Sequence, residues 1–138
     1  LGKYDAVFMF GVHSIFDDLN CLLTIKSMLN DKSSRAYIFG IWNPHDLDVI
    51  IKSRPSNTDC KYEKGWNIFS KKTVTNFLDN NGLKYKFTDF NINIDIKKNE
   101  KDPLRSWTIN DVNNSKIIIN GLCVIHHFSL LEFSLNET

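Results

Sequence analysis

Four short groups of residues have the types and spacing to do chemistry. In Phe10-Gly11-Val12-His13, a glycine that lets the backbone come close to a ligand is followed two residues later by an imidazole able to take a proton near neutral pH. Asn43 precedes Pro44, so its amide is placed either to hydrogen-bond a substrate or to cap a helix that has Pro44 at its first position. Gly65-Trp66-Asn67 sets a large flat ring beside an amide, the pairing that sugar and heterocycle sites use; Trp66 is equally able to pack beneath its loop. Arg54 suits an anionic substrate group, and at the end of a helix its charge also offsets the carbonyl dipole.

Other chemistry has no support in the spacing. His126 and His127 fall on opposite faces of any strand they share, so they cannot readily bind one metal. Arg105 and Trp107 alternate onto one face, as a cation-π pair or a half-buried strand. Cys21, Cys60 and Cys123 are odd in number and have no paired spacing, which points to a reducing compartment without a disulfide framework or zinc site. The six glycines never fall into G-x-G-x-x-G. No carboxylate pair, nucleophilic triad or phosphate loop stands out.

The elements that must position these groups read as α/β. Residues 4–10 form an apolar run of β-favouring types ending at Gly11, the pattern of a strand in a covered parallel sheet. Asp17 or Asp18 caps a following helix whose Leu19, Leu22, Leu23, Ile25, Met28 and Leu29 recur at helical spacing. Residues 36–42 repeat the buried-strand pattern, which completes one right-handed crossover unit. A short helix is expected from Asn43-Pro44 to Arg54-Pro55, carrying Leu47, Ile50 and Ile51, and then a loop over 56–65. Ser70 caps a further helix closed by Asn81-Gly82. Tyr85 and Phe87, then Phe90, Ile92, Ile94 and Ile96 on the other phase, predict a bulged strand. Residues 106–109 and 116–119 flank Asn113-Asn114 as a hairpin, and residues 122–135 supply one long strand or two broken ones.

Composition sets the outer limits. With 138 residues, 42% of them hydrophobic, the chain has material for one core-bearing domain and is too short for two ordinary ones. Lys and Arg number 17 against 16 Asp and Glu, a net charge of +1, which removes the simple electrostatic case for nucleic acid. The apolar runs fall short of the roughly 18 residues that span a bilayer, and no signal peptide opens the chain, so a cytoplasmic protein without membrane contact is expected. Leu1 stands where an initiator Met is absent, which suggests a piece of a longer polypeptide.

The stretch Tyr4-Asp5-Ala6-Val7-Phe8-Met9-Phe10-Gly11-Val12-His13-Ser14-Ile15-Phe16-Asp17-Asp18 resembles the middle of class I S-adenosylmethionine-dependent methyltransferases. In that family an apolar strand headed by Tyr/Phe-Asp ends in a small loop, often with a His, and a helix leads on to the next strand. The segments Trp42-Asn43-Pro44, Gly65-Trp66-Asn67-Ile68-Phe69-Ser70 and Leu104-Arg105-Ser106-Trp107-Thr108-Ile109 are similar to those of enzymes from bacterial surface-polysaccharide pathways. The family's Gly-rich first turn and its ribose-holding acidic residue have no counterpart here.

The resemblance therefore implies a single domain over 1–138 that is the C-terminal half of a Rossmann-like methyltransferase sheet, with parallel strands followed by an antiparallel pair. It implies S-adenosylmethionine as cofactor, met by Phe10, Gly11, Val12 and His13, with His13 as the proton acceptor. Asn43, Arg54, Trp66 and Asn67 are the contacts expected for a small polar or sugar-like acceptor. In that family the strand from Tyr4 is central, so here its flank is open, and self-association or pairing with the N-terminal half is expected. A different function class, a non-catalytic α/β module for protein association through the open edge, fits the same residues.

Overall fold

The computed structural model describes residues 1–56 and 59–136. In chain order the strands are β1 (Ala6–Phe10), β2 (Arg35–Ile41), β3 (Val49–Ser53), β4 (Glu63–Ile68), β5 (Leu83–Asp89), β6 (Trp107–Asn110), β7 (Lys116–Ile119) and β8 (Phe128–Leu135). The helices are α1 (Asn20–Met28), between β1 and β2, and α2 (Lys71–Asn80), between β4 and β5; a single 3-10 turn spans His13–Ile15. The fold is α/β. The main sheet has the order β1-β2-β8-β5, while β3-β4 and β6-β7 form separate two-stranded sheets.

β1 and β2 are parallel and adjacent, with Ala6 opposite Arg35 and Phe10 opposite Phe39, as a crossover through α1 requires. β8 runs antiparallel to both β2 and β5 and lies between them, so the expected closing antiparallel pair is present.

Local chemistry accounts for most boundaries. The N-cap of α1 is Leu19, with no side-chain cap, rather than Asp17 or Asp18; Asp18, one residue earlier, accepts from the Asn20 N–H through Oδ1 at 2.9 Å and satisfies one donor there. Ser70 caps α2, its hydroxyl accepting from the Thr73 N–H at 3.0 Å. Gly82 takes φ +62° just beyond α2, a conformation costly to a residue with a Cβ. Both helices pack on one face of the sheet. Leu22, Ile25 and Leu29 meet Ala36 and Ile38 there, and Val74 and Leu78 meet Leu83, Leu131 and Phe133 in the same core.

The helix expected from Asn43 is not formed. Asn43 Oδ1 accepts from the His45 N–H at 3.0 Å and its Nδ2 donates to the Leu47 carbonyl at 2.7 Å, which closes a turn instead. Val49, Ile50 and Ile51 then go to β3, because these β-branched side chains pair across to Ile68, Asn67 and Trp66. β4 accordingly takes the end of the stretch read as a loop over 56–65, whose residues 57 and 58 lie outside the described ones. β5 stops at Asp89, and Ile92, Ile94 and Ile96 follow as irregular chain rather than a bulged strand. Alternation alone cannot make a strand where no neighbouring ladder is available. The hairpin of β6 and β7 forms as expected, with Asn114 at φ +61° in its turn. Only Phe128–Leu135 of the predicted long final strand is regular.

β1 is an edge. Its exposure alternates, with Phe8 62% and Phe10 59% exposed, while Val7 and Met9 point at the helical core. Among the described residues no helix is long and apolar enough to cross a membrane.

Candidate functional site at the carboxyl ends of β1 and β2

In an α/β sheet the strand ends open a crevice where loops diverge, and the sequence-predicted residues gather there unevenly. Gly11 leaves β1 at φ +69°, and nothing lies within 4 Å of where its Cβ would stand, so the backbone is open to a ligand on that side. Phe10 and Val12 flank it, both exposed. A cleft of about 160 Å³ follows, bounded by Gly11, His13, Gly40, Ile41, Trp66 and Phe128, with Ser14, Ile15 and Ile68 completing its wall.

His13 lies in the loop between β1 and α1, yet it is buried. Only 3% of it is exposed, and its ring stacks on Trp42 with centroids 4.1 Å apart and planes 18° from parallel. The Nε2–H donates to the Ile41 carbonyl at 3.2 Å, which fixes the tautomer and leaves Nδ1 as the lone-pair atom, buried and without a partner. Burial pushes the imidazole pKa below its ordinary value, partly offset by that carbonyl, so His13 is neutral at pH 7. The ring sits where a side chain at Gly40 would be: a Cβ there would lie 1.8 Å from His13 Cε1. A glycine near the carboxyl end of an inner strand thus admits the imidazole to the face of the sheet.

Trp66 also lines the cleft, its ring centroid 5.5 Å from that of His126. Asn67, its neighbour in β4, is buried and turned to the loop after the 3-10 turn, where Nδ2 donates to the Phe16 carbonyl at 2.6 Å and to Asp17 Oδ1 at 3.0 Å. Its Oδ1 is buried without a partner. Asn67 therefore holds the loop that carries His13. Asn43 stands beside a neighbouring hollow with His45 and His127, its backbone joined to Phe69 and Lys71 ahead of α2. Arg54 is apart from these, at the far end of the β3-β4 hairpin, its guanidinium 4.5 Å from the Tyr62 ring centroid.

Other buried or paired polar groups lie outside the cleft. His126 is buried, its Nδ1 3.2 Å from Ser106 Oγ and its Nε2 without a partner, and burial pushes its pKa down to about 4. Its neighbour His127, which like His126 lies ahead of β8 and outside any strand, is exposed. Lys71 pairs with Asp89, whose Oδ1 also accepts from Ser129 Oγ at 2.7 Å; these contacts hold the Asp89 carboxyl below the usual carboxylate range. The two groups come from elements 18 residues apart, and only the fold joins them. Among the described residues, no group of three or more His, Cys, Asp and Glu side chains is arranged to hold a metal ion.

The chain matches no protein-family model, no curated protein and no solved structure.

Proposed function

We propose that this chain is the C-terminal, acceptor-side part of an S-adenosylmethionine-dependent methyltransferase that acts on a small polar or sugar-like acceptor. The observation that carries the reading is the cleft, in which the open backbone of Gly11, the neutral imidazole of His13 and the ring of Trp66 converge beyond the ends of two parallel strands. The residues fit one wall of a cofactor pocket. Gly11 takes the close approach, and Phe10 and Val12 offer exposed apolar contact beside it.

The cofactor supplies an activated methyl group on a sulfonium. The chain's own part is positioning. Trp66 gives a flat surface for the acceptor, and Asn67 fixes the loop between β1 and α1 so that Gly11 and His13 keep their spacing. His13 keeps a lone pair at Nδ1, the atom that would take a proton from an acceptor hydroxyl, and burial, which lowers its pKa, makes it a weak base there. A positioned, largely dry site needs no metal-like signature for such a displacement.

The test uses the polypeptide that carries this segment in its native reading frame. Transfer of tritium from labelled S-adenosylmethionine to a sugar-like acceptor is expected, with S-adenosylhomocysteine binding seen by calorimetry. Trp66→Ala should raise the acceptor KM or lower kcat while leaving S-adenosylhomocysteine affinity within about twofold. If that polypeptide binds no S-adenosylhomocysteine, the reading is wrong.

A further inference from the structure

Among the described residues, β1 has a strand neighbour on one side only. Asp5 accepts from the Arg35 N–H and the Gly11 N–H donates to Phe39, so alternate residues of β1 face β2, and Ala6, Phe8 and Phe10 present their N–H and C=O groups outward. Beside that edge runs an apolar groove of about 620 Å³, bounded by β1 and by Cys21, Thr24, Ile25 and Met28, which lie along one side of α1 at helical spacing. No charged side chain occupies the edge itself.

We infer that this chain forms a symmetric dimer in which β1 pairs antiparallel with β1 of a second copy about a two-fold axis at Phe8. The inference is made for the 138-residue chain; an N-terminal half that filled the edge of β1, as the methyl-transfer reading implies, would take the place of the second copy. A two-fold at Phe8 sets Ala6 opposite Phe10 of the other copy and Phe8 opposite itself, so every outward-facing residue of β1 meets an outward-facing residue. The small side chain of Ala6 then stands beside the large one of Phe10. The same axis brings the two α1 helices together, antiparallel, over the seam, and their uncharged Cys21-Thr24-Met28 sides meet.

Charge selects this orientation. Asp18 binds the N–H of Asn20 at the start of α1, and Lys3 donates to the Leu29 carbonyl at its end. Antiparallel copies place Asp18 of each near Lys3 of the other, whereas parallel copies would set Asp18 beside Asp18. The product is one continuous sheet with β5 at both outer edges.

Sedimentation of the 138-residue chain at high micromolar concentration should give twice the mass of the chain, and Phe8→Lys, which puts like charges on the axis, should give the single mass. Phe8→Lys is surface-directed, and its melting curve in dilute solution reports whether it folds. In a background with Cys21→Ser, Cys60→Ser and Cys123→Ser, Phe8→Cys should oxidise to a covalent dimer, because paired Cα atoms about 5.5 Å apart lie within disulfide reach. Ala6→Cys alone should not oxidise to a dimer, but mixed with Phe10→Cys it should. A monomeric wild type overturns the inference. So does a dimer that survives Phe8→Lys, or one in which Ala6→Cys links to itself.

Discussion

The two edges of the main sheet are built to opposite rules. β5 turns Lys84, Lys86 and Asp89 to solvent, the charged residues with which natural sheets discourage pairing by other chains. β1 has Phe8 and Phe10 instead, more than half exposed, beside a groove with apolar walls. One sheet guards one edge and leaves the other unguarded. An unprotected edge is an aggregation hazard unless something covers it, and the proposed pairing of β1 with a second copy rests on this contrast. The carboxyl end of β1 also carries Gly11 and the cleft, so whatever covers the edge borders the site.

The largest effect should come from the strand that unites the two edges. β8 is bonded to both β2 and β5, and Phe133 is 1% exposed in the shared core. Phe133→Ala should cost about 3–5 kcal/mol and lower the denaturant midpoint for probes at both edges together. If β5 unfolds separately from β1, the two edges do not belong to one cooperative unit and the comparison fails.

Gly40→Ala is next. A methyl there meets His13 Cε1 at 1.8 Å, so the imidazole must leave its stack on Trp42, at a cost of about 1–3 kcal/mol. The loop between β1 and α1 should loosen while β5 keeps its protection. Combining it with His13→Ala should recover part of the loss in a double-mutant cycle. Additive losses would show that the imidazole is not what Gly40 accommodates.

Acid should act on the same side of the molecule. His13 and His126 are both pushed below their ordinary pKa by burial, so the unfolded chain binds more protons than the folded one as pH falls from about 6.5 toward 4. Their neutral forms leave stability intact above pH 6.5, and it should decline through that window. Unfolding midpoints at pH 7.5, 5.5 and 4.5 would measure the decline, and His126→Gln should flatten it. A flat profile in the wild type removes the role given to burial.

The smallest effect on stability sharpens the contrast most directly. Lys86→Phe gives β5 the exposed aromatic character of β1, and as a surface change it should move the melting free energy by no more than about 0.5 kcal/mol. It should nevertheless add a second, concentration-dependent association. No new association would mean that lysines are not what keeps β5 free.

The sequence made the main sheet readable where period and punctuation agreed. The apolar runs before Gly11 and Trp42, the crossover helix, the Ser70 cap and Gly82 all mark local preferences that the tertiary structure keeps. Residues 43–53 were misread because Asn43-Pro44 has the chemistry of a helix start and also of a turn, and only the β4 partner decides for β3. The β1 loop and Trp66, read from sequence as site material, line one cleft. The burial of His13 was not legible, because it depends on Gly40, a residue 27 positions away whose lack of a side chain makes the room. Asn67 reads as a ligand contact in sequence, yet its amide spends its donors on Phe16 and Asp17. His126 and the Lys71-Asp89-Ser129 contacts come from separate elements, and no spacing rule could join them.

Residue-resolved amide hydrogen exchange at high and low micromolar concentration tests the central contrast most directly. The outward amides of Ala6, Phe8 and Phe10 should be protected at the higher concentration and lose that protection on dilution. Those of Tyr85 and Phe87, which alternate away from β8 on the other edge, should exchange fast at both. If the β1 amides exchange as fast as those of β5 at every concentration, β1 is an ordinary edge and the account is contradicted.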